Sequence, residues 1–197
     1  TSQVEVLLTI TAERGGVTEF KSVTIKVGQL VVSTIAQAMA GNQDDAFKIQ
    51  GIIIAGEYQR TFFIVDETAG IALYMAVAGN GAFFADNVGN KVEVIGTRDT
   101  YNGLSQIRVQ SFEFIEEAEV PTPINLDHLE VTPANYQPYF GQLIELTGMI
   151  IANKTSDNFG NITLTLEHPV NGTTVAARWD SRVALPTALN SMLQTLE

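Results

Sequence analysis

The chain contains no cysteine, and only two histidines and one tryptophan, among its 197 residues. Without cysteine, a disulfide framework and a thiolate zinc site are both excluded, although the compartment is not fixed by that absence. Basic residues are also scarce: 11 Lys and Arg stand against 22 Asp and Glu, a formal net charge of −11. Residues 1–30 carry three basic and three acidic side chains, 31–117 five and eleven, and 118–197 three and eight, so the acidity is not a tail. This balance aids solubility and repels polyanions at long range. It weighs against nonspecific nucleic-acid binding, which relies on clustered Lys and Arg. No apolar run approaches the ~18 residues of a membrane-spanning helix, and membrane insertion is not expected. The opening residues alternate like a strand instead of forming a secretory leader, so the chain reads as an excised piece of a longer protein.

What is present is β-forming. Hydrophobic residues make up 45% and charged ones 17%, enough for a buried core. Valine, isoleucine, threonine and glycine are plentiful, and turn clusters recur every ~8–12 residues, which predicts an all-β chain. The segment VEVLLTITAERGGVTEFKSVTIKV (4–27) has two alternating runs around Gly15-Gly16, a hairpin signature. A lone hairpin is marginal in water, so these strands call for a partner. STIAQAMAG (33–41) predicts a short helix, with Thr34 and Gln37 as a capping box and Gly41 as its stop. Ile35, Ala38 and Met39 share one face of it.

Five strands are expected within 46–116: FKIQGIIIA (47–55), TFFIVD (61–66), GIALYM (70–75), NKVEVIGT (90–97) and LSQIRVQ (104–110). A helical turn at 82–86 fits between the third and fourth. Three strands, an interruption and two strands is the order of an OB-fold, a five-stranded Greek-key barrel. AEVPTP (118–123) reads as a linker. After it, LIELTGMIIA (143–152) repeats the first strand with Gly148 aligned to Gly51, a shift of 97. NITLTLEH (161–168) and TTVAARWD (173–180) stand for the second and third strands, and 185–197 is helix-like. The expected fold is thus all-β: tandem OB-fold-like Greek-key barrels, the second incomplete, with short helices and a preceding β-hairpin. The expected boundaries are 1–29, 30–117, the linker 118–123, and 124–197.

FFIVDETAGIALYM (62–75) holds the polar knot Asp66-Glu67-Thr68 between two apolar strands. Asp and Thr bond back to loop backbone and Gly70 relaxes the turn, so the knot is read as a hairpin loop. Alternation puts Phe62, Ile64, Ile71, Leu73 and Met75 inward, and Phe63, Val65, Ala72 and Tyr74 outward. A catalytic reading would need a converging base or second carboxylate, and neighbours on a strand face opposite sides. A metal reading needs more oxygen ligands at a recognisable spacing.

FFIVDETAGIALYM resembles the hairpin between the second and third strands of OB-fold nucleic-acid-binding domains. Together with STIAQAMAG, FKIQGIIIA and VGNKVEVIGTRDTYNGLSQIRV it is similar to OB-like domains of secreted bacterial proteins. Those domains occur beside nucleases, phosphoesterases and surface lipoproteins, often after immunoglobulin-like repeats. Residues 4–27 look like the last strands of such an immunoglobulin-like module. The resemblance implies an extracellular or surface-anchored location and neighbouring domains of the same polypeptide as partners. It carries no catalytic residue over, and neither an enzyme nor a cofactor is expected.

Ligand-facing loops in this fold lie between strands one and two and between strands four and five. They offer Glu57, Tyr58, Gln59 and Arg60, then Arg98, Asp99, Tyr101 and Asn102. With the outer sheet face, the candidate binding residues are Lys48, Arg60, Phe63, Tyr74, Arg98 and Tyr101. Aromatics beside Arg stack bases of single-stranded nucleic acid, and the same side chains stack sugars or cover an interface. His128 and His168 have no catalytic partner at recognisable spacing. Trp179 falls on one face with Val175 and Ala177. The expected function is a non-catalytic accessory or binding module of an extracellular bacterial protein. The alternatives are a single-stranded nucleic-acid-binding module serving a nuclease, and a glycan- or surface-protein-binding adhesin segment.

Overall fold

The structure is a computed structural model that describes residues 4–28, 30–56, 60–76, 81–130, 132–181 and 187–194. Strands β1 (Val4–Arg14) and β2 (Val17–Val27) form an antiparallel hairpin, paired from Val4↔Val27 to Arg14↔Val17. Gly15 (φ +61°) and Gly16 (φ +79°) make its two-residue turn. Positive φ at both central positions is what a type I′ hairpin turn demands. Among the described residues no further strand pairs with either edge of this ribbon.

The next elements are β3 (Val32–Ser33), α1 (Ile35–Ala40), β4 (Ala46–Gly56), β5 (Thr61–Val65), β6 (Gly70–Met75), α2 (Gly81–Asp86), β7 (Asn90–Tyr101) and β8 (Leu104–Glu117). β4, β5 and β6 pair antiparallel in series. β8 then runs parallel to β6, β7 antiparallel to β8, and β7 returns antiparallel to β4. Counting from β4, the circuit is one-two-three-five-four-one, with a helix between the third and fourth strands. That closed circuit is the OB-fold. β3 lies parallel to β4 at Lys48 and Ile49, beside the part of β4 that precedes its pairing with β5.

Alternation fills the barrel. Ile49, Ile53, Phe62, Ile64, Ile71, Leu73, Val92, Val94 and Ile107 are all at most 1% exposed. Phe84 of α2 closes one end, its ring 4.8 Å from Phe62 and 4.7 Å from Phe112. α1 closes the other end with Ile35 and Ala38, both fully buried. Its capping box, Thr34 with Gln37, is formed as the sequence suggested.

Several details depart from the sequence reading. β7 and β8 run to Tyr101 and Glu117, well past 97 and 110. Val65 and Ala72, expected to face outward, are 8% and 0% exposed. Val65 lines a cleft together with Val32, Ser33 and Thr34. Ala72 is a small methyl flanked across the ladders by Phe63 and Gln106. Gly41 does not stop α1 through a left-handed turn, since its φ is −69°. Its lack of a side chain matters because a Cβ there would strike the Phe47 ring.

The second unit comprises β9 (Ile124–Asn125), α3 (Pro133–Tyr136), a 3-10 turn (Gln137–Tyr139), β10 (Ile144–Glu145), β11 (Ile150–Ser156), β12 (Ile162–Glu167), β13 (Thr174–Trp179) and α4 (Thr187–Gln194). β9 and β10 pair parallel, and β11, β12 and β13 form an antiparallel sheet. A short parallel strand, a Thr-capped helix, three antiparallel strands and a helix repeat the order of residues 32–86. Counterparts of β7 and β8 are not found among the described residues. The stretch 143–152, expected as one strand, is broken between β10 and β11. Gly148 sits there at φ +66°, and the preceding Thr147 amide donates to the Asp127 carboxylate at 2.6 Å. Gly51 and Gly148 therefore serve different ends: the first lies within β4, where a Cβ would come 2.8 Å from the Val65 carbonyl.

Candidate functional site

Asp66 organises the β5–β6 turn. Its Oδ1 accepts from the Thr68 amide at 2.7 Å, the Thr68 hydroxyl at 2.6 Å and the Ala69 amide at 2.9 Å. Its Oδ2 accepts from the Ile35 amide at 2.8 Å, and the Ala36 amide donates to Thr68 Oγ1 at 3.1 Å. The knot is thus a turn and also a cap for the first orphan amides of α1, 31 residues away in the chain. Burial pushes the Asp66 carboxyl up, but the bonds from Ile35, Thr68 and Ala69 together outweigh it and hold the carboxyl below its usual value. An anionic group with this many donors is poorly placed to deliver or take a proton. Glu67, beside it, is exposed. Among the described residues no group of three or more His, Asp or Glu side chains is placed to hold a metal.

The six candidate binding residues do not share one surface. Lys48 pairs across the ladder with Ile95 of β7, and its Nζ lies 2.5 Å from Glu93 Oε1. Gln50 donates to the same carboxylate at 2.9 Å. The bonds from Lys48 and Gln50 lower the Glu93 pKa despite its burial. Arg98 is turned into the fold: its guanidinium donates to the carbonyls of Met39 and Asp99 and to the hydroxyls of Thr100 and Ser105. Arg60 is exposed at the start of β5, and Glu57, Tyr58 and Gln59 fall outside the described residues. Tyr101 is 65% exposed beside the Asn102-Gly103 turn.

Phe63 and Tyr74 do lie together on the outer face of β5 and β6, both half-buried. Tyr74 stands opposite Thr61 on one side and Arg108 on the other. Arg108 Nη2 donates to Asp99 Oδ2 at 3.0 Å. Asp99 also accepts from Gln43 at 2.8 Å and Gln106 at 2.9 Å. Those two side-chain bonds, ahead of the Thr100 amide and Arg108, drive its carboxyl far below the ordinary range. Sequence reasoning singled out neither Arg108 nor its bond to Asp99. Arg108 meets Tyr74 only through the parallel β6–β8 ladder, which strand alternation alone does not specify.

A cleft of about 600 Å³ opens beside the Asp66 turn. Val32, Ile52 and Val65 give it apolar walls, while Thr34, Glu67 and Glu116 make it polar. Lys91 also lines it, with Nζ 3.4 Å from Glu116 Oε1. The segment following β8 contributes Ala118 and Pro121.

In the second unit Asp127 is held by the Thr147 amide and hydroxyl and by Asn125, and these bonds lower its pKa. His168 accepts from the Val170 amide through Nδ1 at 3.3 Å. Asp157 orders the turn between β11 and β12, accepting from the Phe159 amide at 2.9 Å and the Asn161 amide at 3.0 Å. Trp179 shares a face of β13 with Ala177 and Val175, as alternation requires.

No family model matches the chain, and no curated protein matches it. Several solved structures resemble parts of it, two of them as follows. The hypothetical protein ygiW from E. coli is 15% identical with a TM-score of 0.37, over 45% of this chain and 91% of that one. A Leishmania major Friedlin protein described as a "putative aspartyl-tRNA synthetase" is 10% identical with a TM-score of 0.36, over 56% of this chain and 26% of that one. Likeness at this level carries no argument about function, and the OB-fold assignment rests on the strand circuit itself.

Proposed function

We propose that the chain is a non-catalytic binding or positioning module of an extracellular, multidomain bacterial protein. The observation that carries this reading is how the polar side chains are used. Asp66, the most suggestive acid in the sequence, spends both carboxylate oxygens on backbone and hydroxyl donors of the fold. The basic side chains of the sheet are spent the same way: Lys48 on Glu93, Arg108 on Asp99, and Arg98 on carbonyls and hydroxyls. The partner-facing surface is then the Phe63–Tyr74 face together with the cleft beside Glu67.

The second reading, single-stranded nucleic acid as ligand, draws on Tyr74 standing next to Arg108 on the face that OB-folds use. Internal pairing of that arginine and the net charge of −11 weigh against it. An anisotropy titration with a labelled single-stranded oligonucleotide at low and physiological salt decides between them. The module reading expects no saturable binding at either salt. Saturable, salt-weakened binding lost in Tyr74→Ala and Arg108→Ala would replace it with the nucleic-acid reading. A reproducible hydrolytic activity abolished by Asp66→Ala with Glu67→Ala would overturn the non-catalytic assignment.

A further inference from the structure

Three Asn-Gly pairs occur in the chain, at 80–81, 102–103 and 171–172. Asparagine before glycine is open to attack of the following main-chain nitrogen on its own side-chain amide carbon, because glycine places no Cβ in the path. The first pair begins outside the described residues. The fold holds the other two in different ways.

Asn102 and Gly103 are the two central residues of the β7–β8 turn, at φ +50° and +82°. Both are left-handed, as a type I′ turn requires. Tyr101 pairs with Leu104 directly behind them, and the ladder continues through strands of 12 and 14 residues. Rotating the Asn102 main chain toward its own side chain works against that ladder.

Asn171 lies exposed in the longer turn 168–173, between strands of 6 residues each. Its Oδ1 accepts from the Thr173 amide at 3.0 Å and from the Thr173 hydroxyl at 2.7 Å. The Gly172 amide donates to the His168 carbonyl at 2.9 Å. Gly172 is exposed, and the nearest atom to a Cβ built on it would be Glu167 Oε1, at 3.9 Å. The Gly172 nitrogen is therefore sterically open, with its N–H already polarised toward an acceptor. The two Thr173 donors hold the oxygen on which negative charge develops when a nucleophile adds to Cγ. Donors fixed on an incipient oxyanion bind the transition state more tightly than the ground state.

We propose that Asn171 is a self-modifying site, at which the Gly172 nitrogen adds to Cγ and converts the residue to aspartate and isoaspartate ahead of Asn102. The N–Cγ bond forms and the Cγ–Nδ2 bond breaks. The proton of the Gly172 nitrogen passes through solvent to Nδ2, which leaves as ammonia. Water then opens the cyclic imide, at Cγ to give aspartate or at the main-chain carbonyl to give isoaspartate. One water is consumed and one ammonia released, with no change of oxidation state. Isoaspartate carries the main chain through an extra methylene, which lengthens the loop closed by the His168 amide on the Thr173 carbonyl at 2.8 Å. Either product sets a carboxylate near Glu167 in a chain already at a net charge of −11.

Peptide mapping by mass spectrometry of the full chain, incubated at mildly alkaline pH, tests the proposal. In the folded chain, deamidation at Asn171 is expected to outrun that at Asn102. In urea, where both pairs are freed from their turns, the two rates are expected to converge. Thr173→Val removes the hydroxyl donor and is expected to slow Asn171 by about three- to tenfold, the worth of one hydrogen bond strengthened in the transition state. Thr173→Ser keeps the hydroxyl and is expected to retain the wild-type rate. Asn102 is the internal standard throughout, and circular dichroism shows that each variant is folded. The comparison with urea needs no variant, so it decides the matter even should Thr173→Val fail to fold. Asn102 reacting first in the folded chain overturns the proposal. So does a folded ratio equal to that in urea, or a folded Thr173→Val that reacts at the wild-type rate.

Discussion

The Ile35 amide donates to the Asp66 carboxylate at 2.8 Å, tying the first residue of α1 to the β5–β6 turn. One side chain therefore sets both the turn and the lid of the barrel. Asp66→Ala removes four hydrogen bonds to a charged acceptor. Bonds of that type are non-additive, and a loss of about 2–3 kcal/mol is expected for the set. Urea denaturation checks the value. Asp66→Asn, which keeps an acceptor oxygen, is expected to recover part of it.

The same carboxylate gives the fold a pH dependence. Its pKa is lower in the folded chain than in the unfolded one. Its contribution is thus fully present above the unfolded value, near 3.8, and is lost as pH falls through the folded value. Thermal unfolding between about pH 6 and pH 2 is expected to fall less steeply for Asp66→Asn than for wild type. Identical slopes would show that the carboxylate does not carry the linkage.

Phe84 is expected to be the most sensitive position in the α2 segment. It is fully buried, its ring stacked on Phe62 and tilted against Phe112. Phe84→Ala leaves a cavity at the end of the barrel and should cost about 3–5 kcal/mol. Phe84→Leu, which fills more of the space, should cost less. Equilibrium unfolding of the two variants measures the difference.

These predictions also mark what the sequence could carry. Two-residue alternation in Phe62–Met75 located the inward residues correctly, because a half-buried strand writes its burial into every second position. The Thr34–Gln37 capping box and the Gly15-Gly16 turn were legible for a similar reason: each is a local geometry with a local residue requirement. The Ile35–Asp66 bond was not legible, since its partners are brought together only by barrel closure. Nor was the break at Gly148, where a hydrogen bond from Thr147 to the distant Asp127 competes with continuation of the strand. Of the six candidate binding residues, Phe63 and Tyr74 come together by cross-strand proximity. Lys48 and Arg98 are diverted by acceptors, Glu93 and Met39, whose positions depend on register and helix docking.

The two units meet through glycine. A Cβ on Gly70 would collide with the Gly141 backbone, and one on Gly141 would lie 2.8 Å from the Gly70 carbonyl oxygen. Gly70→Ala forces backbone to move against backbone, which no rotamer change relieves. The expected outcome is loss of the junction with the first barrel still folded, at a cost of about 1–3 kcal/mol. Limited proteolysis in the segment 118–123 should become faster, while near-ultraviolet circular dichroism of the barrel aromatics is unchanged.

Lys48 and Glu93 present the opposite design, a charged pair on the outside of β4 and β7 with side chains only 19% and 11% exposed. Removing the cation alone, as in Lys48→Met, leaves the Glu93 carboxylate with Gln50 as its remaining donor. Desolvating an unmatched carboxylate is costly, so a loss of about 1–3 kcal/mol is expected. The double change Lys48→Met with Glu93→Leu removes both charges and should recover most of the loss, since well-packed apolar pairs replace such bridges with little penalty. The sign of the pH effect follows from Glu93, whose pKa is lowered mainly by the bond from Lys48, then by Gln50. Its contribution is present above the unfolded carboxyl value and fades as pH falls through the folded one. A double-mutant cycle at pH 7 and again near pH 3 reads this directly. Coupling is expected at pH 7 and should shrink at the lower pH; equal coupling at both would mean that packing of the Lys48 stem, not charge, holds β4 to β7.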